Sequence, residues 1–156
     1  MDLKAIAGLV SEKRIRQVNP SLPRAEQLMA KAQNELAVAP KIIDASEEIA
    51  YTTAYEAMFK ATLALLAVHG YRIGNIEQRR SAVQFCTAAL PPGIDAVLAA
   101  YDKMRARRND LSYDVGVAVS RTDAEEAIKQ ASVLVEAIGK EVAGAKMSKG
   151  GKKPQP

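Results

Sequence analysis

Apolar residues recur along this chain at three- and four-residue steps, and those steps predict helices almost throughout. From about Pro23, "PRAEQLMAKAQNELAVA" sets Leu28, Ala32, Leu36 and Ala39 on one side of a helix. Pro40 then interrupts the pattern, either as a break or as a first-turn proline of the next helix. "SEEIAYTTAYEAMFKATLALLAVHG" carries the strongest pattern, with Ser46 placed to cap its start and Gly70 to stop it. It is apolar nearly all round from Ala61 to Val68, so it should be the central, most buried helix. "IEQRRSAVQFCTAAL" gives a further helix, ended by Pro91 and Pro92, and the next runs from about Gly93 to Ser112. The last starts at "TDAE", where Thr122 and Glu125 match a capping box, and it buries Ala124, Ile128, Ala131, Val135 and Ile138. "DLKAIAGLVSEK" reads as a short first helix and "RIRQVNPSLP" as a loop.

The connections are short, so neighbouring helices should run antiparallel. The expected fold is all-α: an up-and-down antiparallel bundle of four main helices plus one or two short ones, with no sheet. Residues 1–145 form the single domain of this reading.

Composition agrees with helix. Hydrophobic residues make up 48% of the chain, much of it alanine, with no Trp and two Phe. No run approaches the roughly 18 uninterrupted apolar residues of a membrane span. The start, "MDLKAIAGLVSEKR", carries an early acid and no long apolar stretch, unlike a secretory leader. The lone Cys86 has no disulfide partner and reads as a small buried thiol, so a cytoplasmic location is expected.

The net charge of +4 belongs to one place. Lys146, Lys149, Lys152 and Lys153 stand in "KMSKGGKKPQP" without an acid, and the rest of the chain is formally neutral. Residues 146–156 are therefore expected to form a disordered basic tail that solubilises the chain and specifies little.

Candidate chemistry concentrates in "YDKMRARRNDLSYD". On the helix from Gly93, the apolar stripe runs through Ile94, Val97, Leu98, Tyr101 and Met104. Continued by the same steps, it passes Arg105 and Arg108 and returns to Leu111, while Arg107 lies off it. Arg105 has Asp102 three residues before it, whereas Arg108 has no carboxylate within a turn. A guanidinium cannot shed its proton, and burying it unpaired is costly. Arg108 must therefore meet a carboxylate on another helix, for example Glu47, Glu48 or Glu56, a partner chain, solvent, or an anionic ligand.

Other chemistries find no pattern. No His/Cys/Asp/Glu cluster has metal spacing, no recognised Ser/His/acid arrangement occurs, and "GYRIG" lacks the Lys-Ser/Thr of a phosphate loop. No metal and no cofactor are expected. The row Tyr51, Tyr55, Phe59 reads as core or dimer packing, and Glu56–Lys60 as a surface pair. The single histidine, His69, reads as a helix-end residue favourable to the dipole.

Two segments, "AYEAMFKATLALLAVHGYRI" and then "MRARRNDLSYD", resemble the paired signatures of the HEPN superfamily (higher eukaryotes and prokaryotes nucleotide-binding domain), and the likeness extends from about Pro23 to Gly139. The resemblance implies a bundle that forms a homodimer, with Arg/His motifs facing each other across the interface. Many such proteins are metal-independent ribonucleases, often toxins of toxin–antitoxin or phage-defence systems. Others are non-catalytic partners of nucleotidyltransferases, or bundles that bind nucleotides or RNA. By this likeness Arg108 takes the motif arginine, Asn109 the polar residue after it, and Tyr113 stands where the histidine belongs. Histidine moves protons near neutrality; a phenol, with a pKa of about 10, does so poorly.

The expected function is thus a dimeric HEPN-like module that binds RNA, a nucleotide or a partner protein, with Arg105 and Arg108 as the RNA or nucleotide ligands. The alternative is a metal-independent endoribonuclease toxin using Arg108, Asn109 and Tyr113 as its catalytic set. An antitoxin or nucleotidyltransferase is the expected protein partner, and no membrane is involved. Arg108, Asn109 and Tyr113 are expected at the mouth of a groove, with Arg105 behind them and Arg107 turned to solvent.

Overall fold

The computed structural model describes residues 1–150. Six helices fill most of them: α1 Leu3–Ser11, α2 Leu22–Ile42, α3 Glu47–His69, α4 Gln78–Ala89, α5 Asp95–Tyr113 and α6 Arg121–Gly150. The architecture is the expected all-α bundle. The four long helices are α2, α3, α5 and α6, with α1 and α4 as the short additions.

α3 is the axis. The Ser46 hydroxyl accepts from Ile49 N, and Gly70 closes the helix in the left-handed conformation at φ 81. Thirteen of its residues are buried, so it has no solvent face over most of its length. Many of them are alanines: Ala50, Ala54, Ala57, Ala61 and Ala64 are fully buried and let neighbouring backbones come close. α2 returns antiparallel beside it, joined through residues 43–46, with Ser21 N donating to Ala67 O at the far end. α2 presents Ala25, Met29, Ala32 and Ala39 to the core, while Leu28 and Leu36 are half-buried at its margin. α6 runs antiparallel to α2: Arg121 pairs with Asp44 at one end and Lys146 with Glu26 at the other. Ala124, Ala131, Val135 and Ile138 of α6 are buried as their spacing requires, and Ile128 is half-buried.

Several expectations need correcting. A two-stranded sheet exists: β1 Ile15–Gln17 pairs antiparallel with β2 Tyr71–Ile73, in register Ile15↔Ile73, Arg16↔Arg72 and Gln17↔Tyr71. Three residues are too few to show a period, and the pairing joins segments far apart in sequence, so pattern reading finds a loop instead. Pro40 neither breaks the chain nor starts a helix, because α2 continues through it to Ile42. It sits in the last turn, where one lost backbone hydrogen bond is tolerable. α6 is capped by Ser120 rather than Thr122. Asp123 N donates to the Ser120 hydroxyl and Ser120 N to the Asp123 carboxylate, a capping box two residues early. Lastly, α6 carries the first part of the basic tail as helix, to Gly150. The remainder of that tail lies outside the described residues.

Inside the bundle one polar knot is buried. The Thr62 hydroxyl donates to Met58 O at 2.9 Å and lies 3.2 Å from Cys86 Sγ and 3.0 Å from Tyr101 Oη, tying α3 to α4 and α5. Burial pushes the Cys86 thiol up to about 12, Thr62 partly opposing it. This is the inert thiol its isolation suggested. Among the described residues no helix is long and apolar enough to cross a membrane.

Candidate functional site

α5 supplies the arginines. Leu98, Tyr101 and Met104 bury its stripe. One turn on, the stripe meets the edge of the bundle, so Arg105, Arg108 and Leu111 are half-buried. Arg105 is satisfied locally, its Nε donating to Asp102 Oδ1 at 2.8 Å.

Arg108 finds its carboxylate on α3. Of the three candidates it selects Glu56, with Arg108 Nη2 lying 3.5 Å from Glu56 Oε1. Glu47 and Glu48 stand in the first turn of α3 and take no part. The same Glu56 oxygen accepts a shorter bond, 2.8 Å, from Arg79 Nη1 of α4. Two guanidiniums thus share one carboxylate and one positive charge is left over. Arg108 Nε is buried without any hydrogen-bond partner.

Arg79 is the residue that sequence reasoning missed. Its guanidinium lies 4.2 Å from the Phe59 ring centroid and 5.5 Å from that of Tyr55. Arg107 covers Tyr51 in the same manner, at 5.5 Å. Tyr51 and Tyr55 of the aromatic row are packed core and Phe59 is half-buried at its edge, the row being roofed by two arginines. The available signal was the four-residue step of Tyr51, Tyr55 and Phe59 next to "QRR"; nothing in the sequence says which arginine covers which ring. Burial pushes the Tyr55 phenol up, Arg79 opposing it, and Tyr55 Oη has no hydrogen bond of good geometry.

Two further expectations fail here. Arg107 is not turned to solvent. Its Nη2 donates to Asp123 Oδ2 at 3.0 Å and to Ala118 O, and its side chain is less exposed than that of Arg108. Being about 100° round the helix from Arg108 does point it off the stripe. However, the connection 114–120 folds back over that flank and takes the place of water. Asp123 is held below its usual range, first by the backbone and hydroxyl of Ser120 and then by Arg107. Glu56 and Lys60 are not a surface pair either, since Lys60 bonds Glu35 of α2.

Asn109 and Tyr113 are exposed, Tyr113 at 85%. Four residues apart, they lie about 40° from each other on the helix, whereas Tyr113 is about 140° round from Arg108. Asn109 and Tyr113 thus share a face, with Arg108 on its flank. Several clefts of the described surface are lined by other residues. At the same end of the bundle, Ile49 is 58% exposed and Val115 fully so, giving this surface an apolar component.

His69 closes α3 away from this surface. Burial holds its imidazole below the usual range, and Nε2 is buried without a partner. Burial thus disfavours the charged form that would help the helix dipole.

A central apolar helix roofed by arginines of two others, with a polar helix end beside them, defines a class of bundle rather than a single activity. The sequence matches the model of the HEPN domain over residues 22–142, from the start of α2 to near the end of α6, and the chain belongs to that family. α1 and β1 lie outside the match. No curated protein matches the sequence.

Proposed function

We propose that this chain is a dimeric HEPN module that binds RNA or a nucleotide through the surface around Arg108, working beside a second protein of a toxin–antitoxin or defence system. The observation that carries the reading is the sharing of Glu56. Arg79 holds that carboxylate at 2.8 Å and Arg108 only at 3.5 Å, with Arg108 Nε buried and unpartnered. A guanidinium in that position retains capacity for a phosphate. Asn109 and Tyr113 stand ready on the adjoining face to bond or stack a base. Exposed Ile49, Tyr113 and Val115 give a second copy an apolar surface to cover. Arg105, held by Asp102, has a supporting part.

A metal-independent ribonuclease is the second reading, favoured by the shared exposed face of Asn109 and Tyr113. It requires Tyr113 to move a proton at neutral pH, for which a phenol is poorly suited.

The test is purified protein with labelled single-stranded RNA in the presence of a metal chelator, comparing wild type with Arg108→Ala. Retention of intact RNA by wild type, weakened in the variant, is the expected result. Cleavage that is lost in both Arg108→Ala and Tyr113→Phe would select the ribonuclease. Equal binding by wild type and Arg108→Ala would refute the binding reading, and equal cleavage by the two would refute the ribonuclease. Light scattering at high micromolar concentration should report a dimer.

A further inference from the structure

The chain has ten arginines. Seven of them, Arg14, Arg79, Arg80, Arg105, Arg107, Arg108 and Arg121, pair with carboxylates. The three that form no ion pair among the described residues are Arg16, Arg24 and Arg72. All three line the same pair of adjoining cavities, of about 340 and 230 Å³.

The opposition of Arg16 and Arg72 is imposed by the backbone. They are direct partners across β1 and β2, a position where like charges repel and destabilise the pairing. The register is fixed at both ends. Val18 N donates to Gly70 O at 2.9 Å, and Gly74 N to Arg14 O at 2.7 Å. A Cβ at Gly70 would stand 2.9 Å from Val18 O, and one at Gly74 only 2.2 Å from Lys13 O. Glycine at both places lets the strands close, and closure sets Arg16 and Arg72, both exposed, opposite each other at the rim of the same cavities. Strand alternation sends Ile15 to the opposite face, where it is buried.

Arg24, from the first turn of α2, completes the set from a third element. The floor between them is apolar, formed by Leu63 and Leu66 of α3. No carboxylate lines either cavity, and Glu26, two residues from Arg24, is engaged by Lys146 at 3.6 Å. Three exposed arginines lining the same cavities, beside an apolar floor and with no ion-pair partner among the described residues, match an anion with several oxygens.

We propose that Arg16, Arg24 and Arg72 form a phosphate-binding site for a nucleotide ligand, separate from the Arg108 surface. The Arg108 surface meets α3 at Glu56, near its middle, and the floor of this site begins at Leu63, about 10 Å further along the axis. Arg16 comes from a segment outside the family match. The cavities suit one nucleotide unit, whose phosphate lies among the guanidiniums and whose apolar part rests against Leu63 and Leu66. The phosphate has two sources, a free mononucleotide or the end of a single-stranded RNA.

The test titrates full-length protein at low salt with adenosine monophosphate and, separately, with a 5′-phosphorylated single-stranded RNA hexamer, and compares thermal unfolding in phosphate and in chloride of equal ionic strength. Wild type is expected to bind at least one probe and to melt higher in phosphate. In an Arg108→Ala background, the Arg16→Gln/Arg72→Gln pair, and Arg24→Gln, should each bind at least tenfold more weakly than Arg108→Ala alone and lose the phosphate effect. The pair without Arg108→Ala should melt no lower than wild type in chloride, because the repulsion is gone. Binding of the mononucleotide identifies a terminal phosphate as sufficient; binding of the hexamer alone assigns the site to RNA. Arg108→Ala should leave the phosphate effect intact, which separates this site from the Arg108 surface. Failure of both probes to bind would overturn the proposal, as would an equal loss from Arg121→Gln, since that would mean a diffuse positive surface.

Discussion

Arg79 and Arg108 reach the same oxygen of Glu56 from different helices, at 2.8 and 3.5 Å. The shorter contact belongs to the arginine that also stacks on Phe59. Arg79 is therefore the structural partner of Glu56, and Arg108 is the one with capacity to spare. Arg108→Ala should leave the melting temperature nearly unchanged while weakening RNA or nucleotide binding by roughly 1.5–3 kcal/mol, the range for a charge-assisted hydrogen bond. Arg79→Ala should do the reverse, costing about 1–3 kcal/mol of stability by removing the bond to Glu56 and the cover over Phe59. Chemical denaturation and RNA titration of both variants check this; swapped effects would show that the roles are assigned the wrong way round.

Arg107 anchors the connection between α5 and α6 through Asp123 and Ala118 O. Arg107→Ala should cost roughly 0.5–1.5 kcal/mol, since the group is partly exposed. It should also raise amide exchange in residues 114–120. RNA binding should hold at the wild-type level. A variant with unaltered exchange in that segment would mean the anchor is without effect.

Thr62→Val removes the shared hydroxyl and leaves Tyr101 Oη buried with no partner, at nearly constant volume. A loss of about 1–3 kcal/mol is expected in urea denaturation. Cys86, with its thiol pushed up to about 12 by burial, should resist maleimide at neutral pH until the chain unfolds. Rapid labelling of native protein would contradict the packing around it.

His69 gives a pH dependence. Burial lowers its folded-state pKa below the ordinary 6.5, with Glu141 acting in the opposite sense. The unfolded chain therefore binds this proton more readily, so the contribution is complete above about 6.5 and is lost as pH falls through the folded-state value. The denaturation midpoint of wild type should drop between about pH 7 and pH 5.5 by more than that of His69→Asn. Parallel curves for the two proteins would exclude His69 as the cause.

The helices were legible because each is an extended repeat of a local rule. Ser46 and Gly70 bound α3 in the sequence as they do in the structure, and the run from Ala61 to Val68 is apolar nearly all round because all of it but Leu63 is buried. Arg105 could be matched to Asp102, one turn away on the same helix. Arg108 could be shown to lack such a partner, so the sequence by itself determined that its carboxylate or ligand must come from elsewhere. Only the tertiary structure decided that it is Glu56, that Arg79 shares it, and that Arg107 meets Asp123 instead of water. It also decided that Arg16 faces Arg72, across two strands of three residues each. The reason is the range of the interaction. Helix periodicity and capping are set by residues three or four positions apart, which a sequence displays directly. Which side chains meet across helices depends on how whole elements are rotated and where a connection folds back, and no local spacing encodes that.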